Sequence, residues 1–371
     1  MLQAIATRVP TDLLLAGEED LAGAPVRSVL RSVQEVPAVP RQPPLPRLPA
    51  WAVNAWLAGP GGPRESWMHA PTRRAITRHL ENQAQRWDVI LVEHAYLAPL
   101  GPALRRYGDR LVLTFQNLAS ATSRQQAASL LGRRRWLAER EAVTWKRIER
   151  QAARDFDLLT TVSDSDADIL MAPSLVVPNG VDTSRFSLGP SAHEPNQVLF
   201  LGHLNFPPNI DGLRWMSTEI WPAVRARLPD ARLDVVGRAP HEAAHRAVAG
   251  INGASLHADV PTVDDYLKKA AVSVVPLRFG TGTRLKALES LAAGVAVVGT
   301  SIGLEGLGIV DGTHALVRDT ADGLADAIAS VLRDPVLRGS LASSGQRLAR
   351  ERFDWGPLSQ SFADAALGVA R

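Results

Sequence analysis

The sequence predicts an α/β protein of two doubly wound, Rossmann-like domains, each built on a parallel sheet. The first observation is length, because 371 residues exceed what one ordinary hydrophobic core organises. The second is an alternation of short apolar runs with amphipathic helical segments along most of the chain. The third is a polar stretch at 187–196, rich in glycine and proline, which interrupts this alternation as a domain boundary does.

We therefore expect an N-terminal domain over residues 1–186 and a C-terminal domain over residues 187–354. Consecutive parallel strands need crossover connections, so helices should cover both faces of each sheet. A last helical segment at about 355–371 follows the second domain. We expect this tail helix to pack back on the first domain.

The composition excludes several classes of protein. There are no cysteines, so disulfides, thiolate metal sites and cysteine nucleophiles are ruled out. No apolar run approaches the roughly 18 residues of a membrane span, and the N-terminus lacks the pattern of a signal peptide. With 46% hydrophobic and 21% charged residues, the sequence is typical of a globular protein, and we expect a cytoplasmic location.

The N-terminal half lacks the usual opening of a doubly wound domain. Such a domain begins with a strand and a glycine-rich turn, whereas this chain begins with a short helical segment. Either the natural start lies upstream, or the domain is built without its first strand. Strands are predicted at 11–17, 26–36, 87–92, 111–115, 157–162 and 174–178, with a proline-rich extended loop at 37–49.

Two of these strands lead directly into polar side chains. Glu93 and His94 follow strand 87–92, and Gln116 follows strand 111–115. Open α/β sheets place their sites at the carboxyl ends of the strands, so these residues are candidates for a site. A single histidine is more often structural than catalytic, and that alternative stays open for His94.

The segment 124–154 is basic, with nine Arg and Lys against three Glu. One interpretation is attraction to an anionic acceptor or a membrane face. The other is a solvated helix surface. No nucleic-acid-binding module is recognisable in it, so nucleic acid is not an expected partner.

Aspartates cluster after strand 157–162, at Asp164, Asp166 and Asp168. Helix capping by the segment from Ser163 explains the first two, and the pattern of a calcium loop is incomplete. We therefore expect a capped helix and no metal site.

In the C-terminal half, the stretch 275–307 combines a strand, a glycine-rich loop, a helix, a second strand and another glycine-bearing loop. Gly280 and Gly282 are free to take positive φ, and the amides of this loop can face an anion at the start of a helix. Arg284 can grip a phosphate with two hydrogen bonds, and Lys286 adds a point charge. The stretch therefore predicts a site for a phosphorylated ligand.

Glu289 follows one turn after Lys286, off the buried face of the helix, where its two oxygens can hold a ribose diol. The alternative is a local ion pair between Lys286 and Glu289. Two strands earlier in this half of the chain end in glycine, and we expect their carboxyl ends to lie at the same edge of the sheet. The predicted donor-binding residues are Gly202, His203, Gly237, Gly280, Thr281, Gly282, Thr283, Arg284, Leu285, Lys286 and Glu289.

Three segments carry a family resemblance when taken in order: VVPNGVDTSRF at 176–186, FLGHLNFPPNIDG at 200–212 and the whole of 275–307. The segments 90–97 and 113–117 match more loosely. On these residues the chain resembles the family 4 retaining glycosyltransferases, which have the two-domain GT-B fold. The GTGTRLK loop at 280–286 indicates a sub-branch of that family.

The resemblance implies that the C-terminal domain binds a nucleoside-diphosphate sugar, with Glu289 on the ribose and the 281–285 loop at the diphosphate and sugar. The acceptor would enter from the N-terminal domain. No metal or other cofactor is expected, since Arg284 and Lys286 would neutralise the diphosphate. The residues expected near the chemistry are Arg284, Glu289, Gln116 and His94.

The chain departs from the family pattern at three places. Thr281 stands where many members have the first of two glutamates eight residues apart. Pro207, Pro208 and Asn209 stand where many have an arginine and a lysine. Gln116 stands where a histidine is common, so the group near the reacting sugar is open, with His94 as the nearest alternative.

The predicted function is retaining transfer of a sugar from a nucleoside-diphosphate sugar to a saccharide, polyol or lipid-linked acceptor. The alternatives are a non-catalytic or truncated nucleotide-sugar-binding protein on the GT-B fold, and a nucleotide-sugar epimerase. We expect a cytoplasmic protein with peripheral contact to the inner membrane face through segment 124–154.

Overall fold

A computed structural model describes residues 1–16, 28–36, 70–83, 85–128, 130–186, 193–238, 242–249, 251–280 and 284–369. The proline-rich segment 37–49 and three predicted donor-binding residues lie outside the described residues: Thr281, Gly282 and Thr283. The chain separates into two compact units. Unit 1 comprises residues 1–178 together with 357–371, and unit 2 comprises residues 179–356.

Unit 1 contains two parallel sheets. A two-stranded sheet pairs β1 with β2, and a four-stranded sheet has the order β3-β4-β5-β6. The strands are β1 Asp12–Ala16, β2 Ser32–Val36, β3 Trp87–Glu93, β4 Gly108–Thr114, β5 Leu158–Thr161 and β6 Leu175–Val176. The helices are α1 Leu2–Ala6, α2 Ala70–Gln83, α3 Gly101–Leu104, α4 Ala119–Ala128, α5 Gly132–Asp155 and α6 Asp164–Leu170, with a 3₁₀ helix at Ala95–Leu100.

The four-stranded sheet of unit 1 is covered on both faces, as its alternating side chains require. In β4, Leu111 and Leu113 enter one apolar cluster, which also holds Trp145 of helix α5. Val112 points into a second cluster. That second cluster includes Phe362 of helix α14 (Trp355–Leu367), so most of the tail helix lies in unit 1.

Unit 2 has one six-stranded parallel sheet in the order β12-β11-β10-β7-β8-β9. The strands are β7 Gln197–Leu201, β8 Arg232–Gly237, β9 Ala254–Ala258, β10 Val272–Val275, β11 Ala296–Gly299 and β12 Leu316–Val317. The helices are α7 Pro207–Trp215, α8 Trp221–Arg227, α9 Glu242–Ala249, α10 Asp264–Lys269, α11 Leu285–Ala292, α12 Ala321–Arg333 and α13 Pro335–Phe353, with a π-helical turn at Met216–Ile220.

The sheet of unit 2 is also buried on both faces. Val198 and Phe200 of β7 pack into one cluster, while Leu199 and Leu201 pack into the other. From β7 the chain builds β8 and β9 on one side and then crosses to β10 on the other side. The strand order therefore reverses between β7 and β10, and α/β sheets bind ligands in the crevice at such a point.

The predicted α/β class is confirmed. The aspartate segment is also explained as predicted, because Ser163 caps α6 by accepting a hydrogen bond from the amide of Asp166. One helical segment runs without a break over 207–227. It is α7, a π turn and α8, and it begins at Pro207, where the missing amide of proline suits a first helical turn.

Within the described residues, no helix is long and apolar enough to cross a membrane.

Candidate functional site

Glycines allow the strand ends at the reversal point to pack closely against one another. A Cβ placed on Gly237, at the end of β8, would lie 1.8 Å from the carbonyl oxygen of Gly202. A Cβ on Gly202 would lie 2.9 Å from the side-chain nitrogen of Asn209. Since real Cβ atoms do not approach so closely, glycine is required at 237 for backbone packing alone. The predicted ligand contact of Gly237 is an additional role that stays a prediction.

Asn209, in the first turn of α7, connects the turn after β7 to helix α11. Its side chain is buried, and its Nδ2 donates to the carbonyl oxygen of His203 at 2.9 Å. Its Oδ1 accepts a hydrogen bond from the Nζ of Lys286. The sequence reasoning noted Asn209 only as a departure from the family pattern. The signal available was a polar residue in a first helical turn after two prolines.

Lys286 lies half-buried on α11, at the strand-order reversal. Its Nζ is 6.0 Å from the ring centroid of Phe200. Burial lowers the pKa of Lys286 to about 7, and the neighbouring charge of Arg284 acts in the same direction. The local pair with Glu289 that the sequence left open is not formed, because the ammonium donates to Asn209. Lys286 is therefore a cation that an arriving anion would stabilise strongly.

Arg284 precedes α11, and its side chain is only 4% exposed. Its Nε donates to the carbonyl oxygen of Ile302 at 2.8 Å, and its Nη2 donates to the carbonyl oxygen of Gly280 at 2.9 Å. The same Nη2 lies 3.2 Å from a carboxylate oxygen of Glu305. The guanidinium thus ties the loop before α11 to the loop after β11. The predicted bidentate grip on a phosphate stays a prediction.

The loop after β11 is fixed by its own hydrogen bonds. The buried Oγ1 of Thr300 donates to the carbonyl oxygen of Leu277 and accepts from the amide of Gly303 at 2.8 Å. A Cβ on Gly303 would lie 2.2 Å from the carbonyl oxygen of Val275. Sequence reasoning marked this loop only by its glycines. In the structure this loop lies beside the start of α11, because Arg284 donates to the carbonyl oxygen of Ile302.

Glu289 is half-buried on α11. Burial raises its pKa, the positive charges of Arg185 and Arg238 oppose that shift, and the charge of Asp264 adds to it. Arg185 and Asp264 form an ion pair at 3.4 Å. Glu289 is therefore a carboxylate kept from bulk water that a pair of hydroxyl donors would stabilise in its charged form.

The remaining donor-side predictions lie around this group. His203 is exposed, and its Nδ1 is 2.5 Å from the Oδ1 of Asn205. Gly280 has a positive φ of 131°, as its loop position predicts. Leu285 is 45% exposed at the first position of α11. The structure therefore brings the described donor-side residues together at the reversal point, while their roles towards a ligand stay predictions.

The strand-end residues of unit 1 are arranged more loosely. His94 has a φ of 76°, which is unusual for a residue with a side chain, and its exposed ring stacks on Tyr96 with 5.2 Å between centroids. Gln116 is half-buried and donates to a carboxylate oxygen of Glu93 at 3.3 Å. The backbone amide of His94 bonds the carbonyl oxygen of Thr114. His94, Glu93 and Gln116 thus lie at one edge of the sheet.

The two halves of the chain match two glycosyltransferase domain families. Residues 24–185 match the family described as Glycosyltransferase Family 4. Residues 195–334 match the family described as Glycosyl transferases group 1. The matches follow one another along the chain and divide between the two units at the same region as the structure.

Several characterised and uncharacterised proteins are similar in sequence. An uncharacterised 44.6 kDa protein from the cps region of Klebsiella pneumoniae is 27% identical over 48% of this chain and 47% of its own length. Glycogen synthase of Mycobacterium tuberculosis is 27% identical over 60% of this chain and 57% of its own length. A GDP-mannose-dependent mannosyltransferase of Mycolicibacterium smegmatis is 26% identical over 74% of each chain. The chain thus spans about half the length of the first two.

Solved structures resemble the fold over nearly the whole chain. Sucrose-phosphate synthase from Thermosynechococcus elongatus has a TM-score of 0.67 at 17% identity, covering 98% of this chain and 90% of its own. The Anabaena protein HepE, in complex with UDP and glucose, has a TM-score of 0.67 at 13% identity, covering 100% and 95%. The chain has the GT-B fold. The two domain matches, in order along the chain, support a glycosyltransferase of the family 4 type.

Proposed function

We propose that the chain transfers a sugar from a nucleoside-diphosphate sugar to a saccharide, polyol or lipid-linked acceptor, with retention at the anomeric carbon. The observation that carries the proposal is Lys286. Asn209 holds its ammonium at the strand-order reversal of unit 2, and burial lowers its pKa to about 7. A buried cation at the point where α/β sheets bind nucleotides is suited to a diphosphate.

Each donor-side residue has a distinct role in this proposal. Lys286 neutralises the diphosphate, and Arg284 holds the loop that surrounds it while adding positive charge. Glu289 accepts hydrogen bonds from the ribose hydroxyls. Metal is not required, because two cations stabilise the charge that develops on the leaving diphosphate. The sub-branch assignment rests on the GTGTRLK sequence at 280–286.

The acceptor side is proposed for unit 1, where Gln116 and His94 lie at one sheet edge. Related structures support a nucleotide donor and a sugar ligand: HepE was solved with UDP and glucose, and the Staphylococcus aureus protein TarM with UDP, a GlcNAc-glycerol and Fondaparinux. Peripheral contact with a membrane and a cytoplasmic location also remain proposals.

Thermal unfolding with UDP, GDP and ADP tests the donor site. A ligand present at 100 times its Kd stabilises the folded protein by about 2.7 kcal/mol, which is a shift of several degrees. We expect one of the three to stabilise the protein, and Lys286→Met and Glu289→Gln to remove the shift. Lys268→Met and Glu351→Gln are matched controls, because both side chains are exposed in the same unit.

No shift with any of the three nucleotides would overturn the proposal. A shift without sugar transfer to any acceptor would favour a binding protein that does not turn over. Where transfer occurs, NMR of the product decides the stereochemistry, since an inverted anomer would contradict retention.

A further inference from the structure

Helix α5 carries a row of exposed arginines that the donor site does not use. The exposed residues recur at alternating intervals of three and four, which is the spacing of one helix face. We call this row the arginine stripe: Arg133, Trp136, Arg140, Val143, Arg147, Arg150 and Arg154. The buried residues lie on the opposite face, at Ala138, Ala142, Trp145, Glu149 and Ala152.

The stripe is long and positively charged. From Arg133 to Arg154 it runs about 30 Å at 1.5 Å per residue. It contains five arginines and no acidic residue. None of these five arginines forms an ion pair with a described residue, whereas Arg135 beside the stripe pairs with Glu139. No carboxylate stands within the row itself, and Glu139 at its edge already has a partner in Arg135.

Apolar side chains interrupt this row of charge. Trp136 is 50% exposed and Val143 is 61% exposed, and Leu131 just before the helix is 86% exposed. Tryptophan and aliphatic side chains on a basic helix face enter the boundary between headgroups and acyl chains. Arginine has a long apolar stem that lies along such a surface while its charge stays at the headgroups.

The geometry points to one class of partner. We propose that the arginine stripe docks unit 1 onto an anionic lipid surface, with helix α5 lying parallel to the membrane plane. A flat surface contacts the whole row at once, which a curved partner does not. A single-stranded nucleic acid would need open aromatic faces, and the guanidinium of Arg140 already covers one face of Trp136 at 4.8 Å.

Vesicle flotation of the full chain tests this proposal. The probes are vesicles of phosphatidylcholine alone and vesicles of equal parts phosphatidylcholine and phosphatidylglycerol. We expect binding only to the anionic vesicles and a loss of binding at high salt. Each basic residue near such a surface contributes about fivefold to affinity. A variant with four glutamines should therefore bind more than about a hundredfold more weakly: R133Q, R140Q, R147Q and R154Q.

A matched control variant removes the same amount of charge by replacing four exposed arginines that lie outside the stripe: R134Q, R214Q, R232Q and R347Q. We expect this control to lose less than about tenfold, because only long-range attraction changes. Thermal unfolding of both variants should match the unchanged protein, since every substituted side chain is exposed.

Three results would overturn the proposal. The first is equal loss of binding in the stripe variant and the control, and the second is equal binding of the unchanged protein to both kinds of vesicle. The third is preferential binding to a soluble polyanion, such as heparin or RNA, that displaces the protein from vesicles through the same arginines. The stabilisation of the stripe variant by nucleotide is measured alongside. Loss of vesicle binding is thereby distinguished from loss of nucleotide binding at the donor site.

Discussion

The carboxyl ends of the strands are built very differently in the two units. In unit 2 they are packed: Gly237 touches the carbonyl of Gly202, and Arg284 is 4% exposed with its guanidinium bonded to two loops. In unit 1 the corresponding edge holds an exposed His94 and a side-chain hydrogen bond of 3.3 Å from Gln116 to Glu93. One unit has a preformed site, and the other has polar groups with few constraints.

On the basis of this difference we assign the donor to unit 2 and the acceptor to unit 1. Buried and fixed cations favour one kind of ligand with a constant charge pattern, such as a diphosphate. A looser edge suits a ligand that varies, such as the acceptor. The four predictions below test the comparison, from the largest expected effect to the smallest.

Gly237→Ala should cause the largest loss of stability. The added Cβ would lie 1.8 Å from the carbonyl oxygen of Gly202, so the ends of β7 and β8 must separate. We expect the free energy of unfolding to fall by about 3 kcal/mol or more. Gly339→Ala is the control, because no atom lies within 4 Å of the added carbon and the site is helical. That control should be neutral or stabilising in urea denaturation. A tolerated Gly237→Ala would contradict the close packing.

Arg284→Met should cause the second largest loss of stability. It leaves the carbonyl oxygens of Ile302 and Gly280 without this donor and removes the partner of Glu305. We expect a loss of about 2–4 kcal/mol in the free energy of unfolding, measured by denaturant titration. Gln116→Ala at the sheet edge of unit 1 should cost less than about 1 kcal/mol. Similar losses in the two variants would remove the contrast between the units.

Nucleotide binding should take up a proton above pH 7. Burial lowers the pKa of Lys286 to about 7, so the side chain loses its proton as the pH rises above 7. A diphosphate favours the charged form and raises that pKa, so binding draws a proton from solution. Affinity should fall by up to about tenfold per pH unit above 7. Calorimetry in buffers of different ionisation enthalpy measures the uptake. Proton uptake that persists in Lys286→Met would show that another group is responsible.

His94→Ala and Gln116→Ala should have the smallest effect on nucleotide affinity. Both residues lie in unit 1, outside the proposed donor site. We expect the Kd for the nucleoside diphosphate to stay within about twofold, because both side chains belong to the unit that the proposal gives to the acceptor. Sugar transfer should fall in at least one of them. A large loss of nucleotide affinity in either variant would place donor contacts in unit 1 and break the comparison.

Much of the fold could be predicted from the sequence, for identifiable reasons. The bounds of β3 and β5 agree within one residue with the predicted 87–92 and 157–162, since each is a short apolar run bounded by polar residues. Helix α9 and strand β9 were missed. Strand β9 lies at the sheet edge with its side chains only partly buried, so it lacks a continuous apolar run.

The site was predictable in its composition and not in its contacts. Glycines and cations near 280–289 indicate a phosphate site, because their chemistry is local. The bond between Lys286 and Asn209 joins residues 77 positions apart, and the contact from Arg284 to Ile302 joins two loops. Such pairings depend on the order of strands in the sheet. Similarly, the charge excess of 124–154 is visible in the sequence, but its concentration on one helix face required the burial pattern.

Hydrogen exchange with and without the stabilising nucleoside diphosphate tests the central claim most directly. The claim is that the donor is bound at the strand-order reversal of unit 2. We predict increased protection in peptides covering 200–212 and 284–307, with little change at 87–117. Protection confined to 87–117, or spread equally over both units, would contradict it.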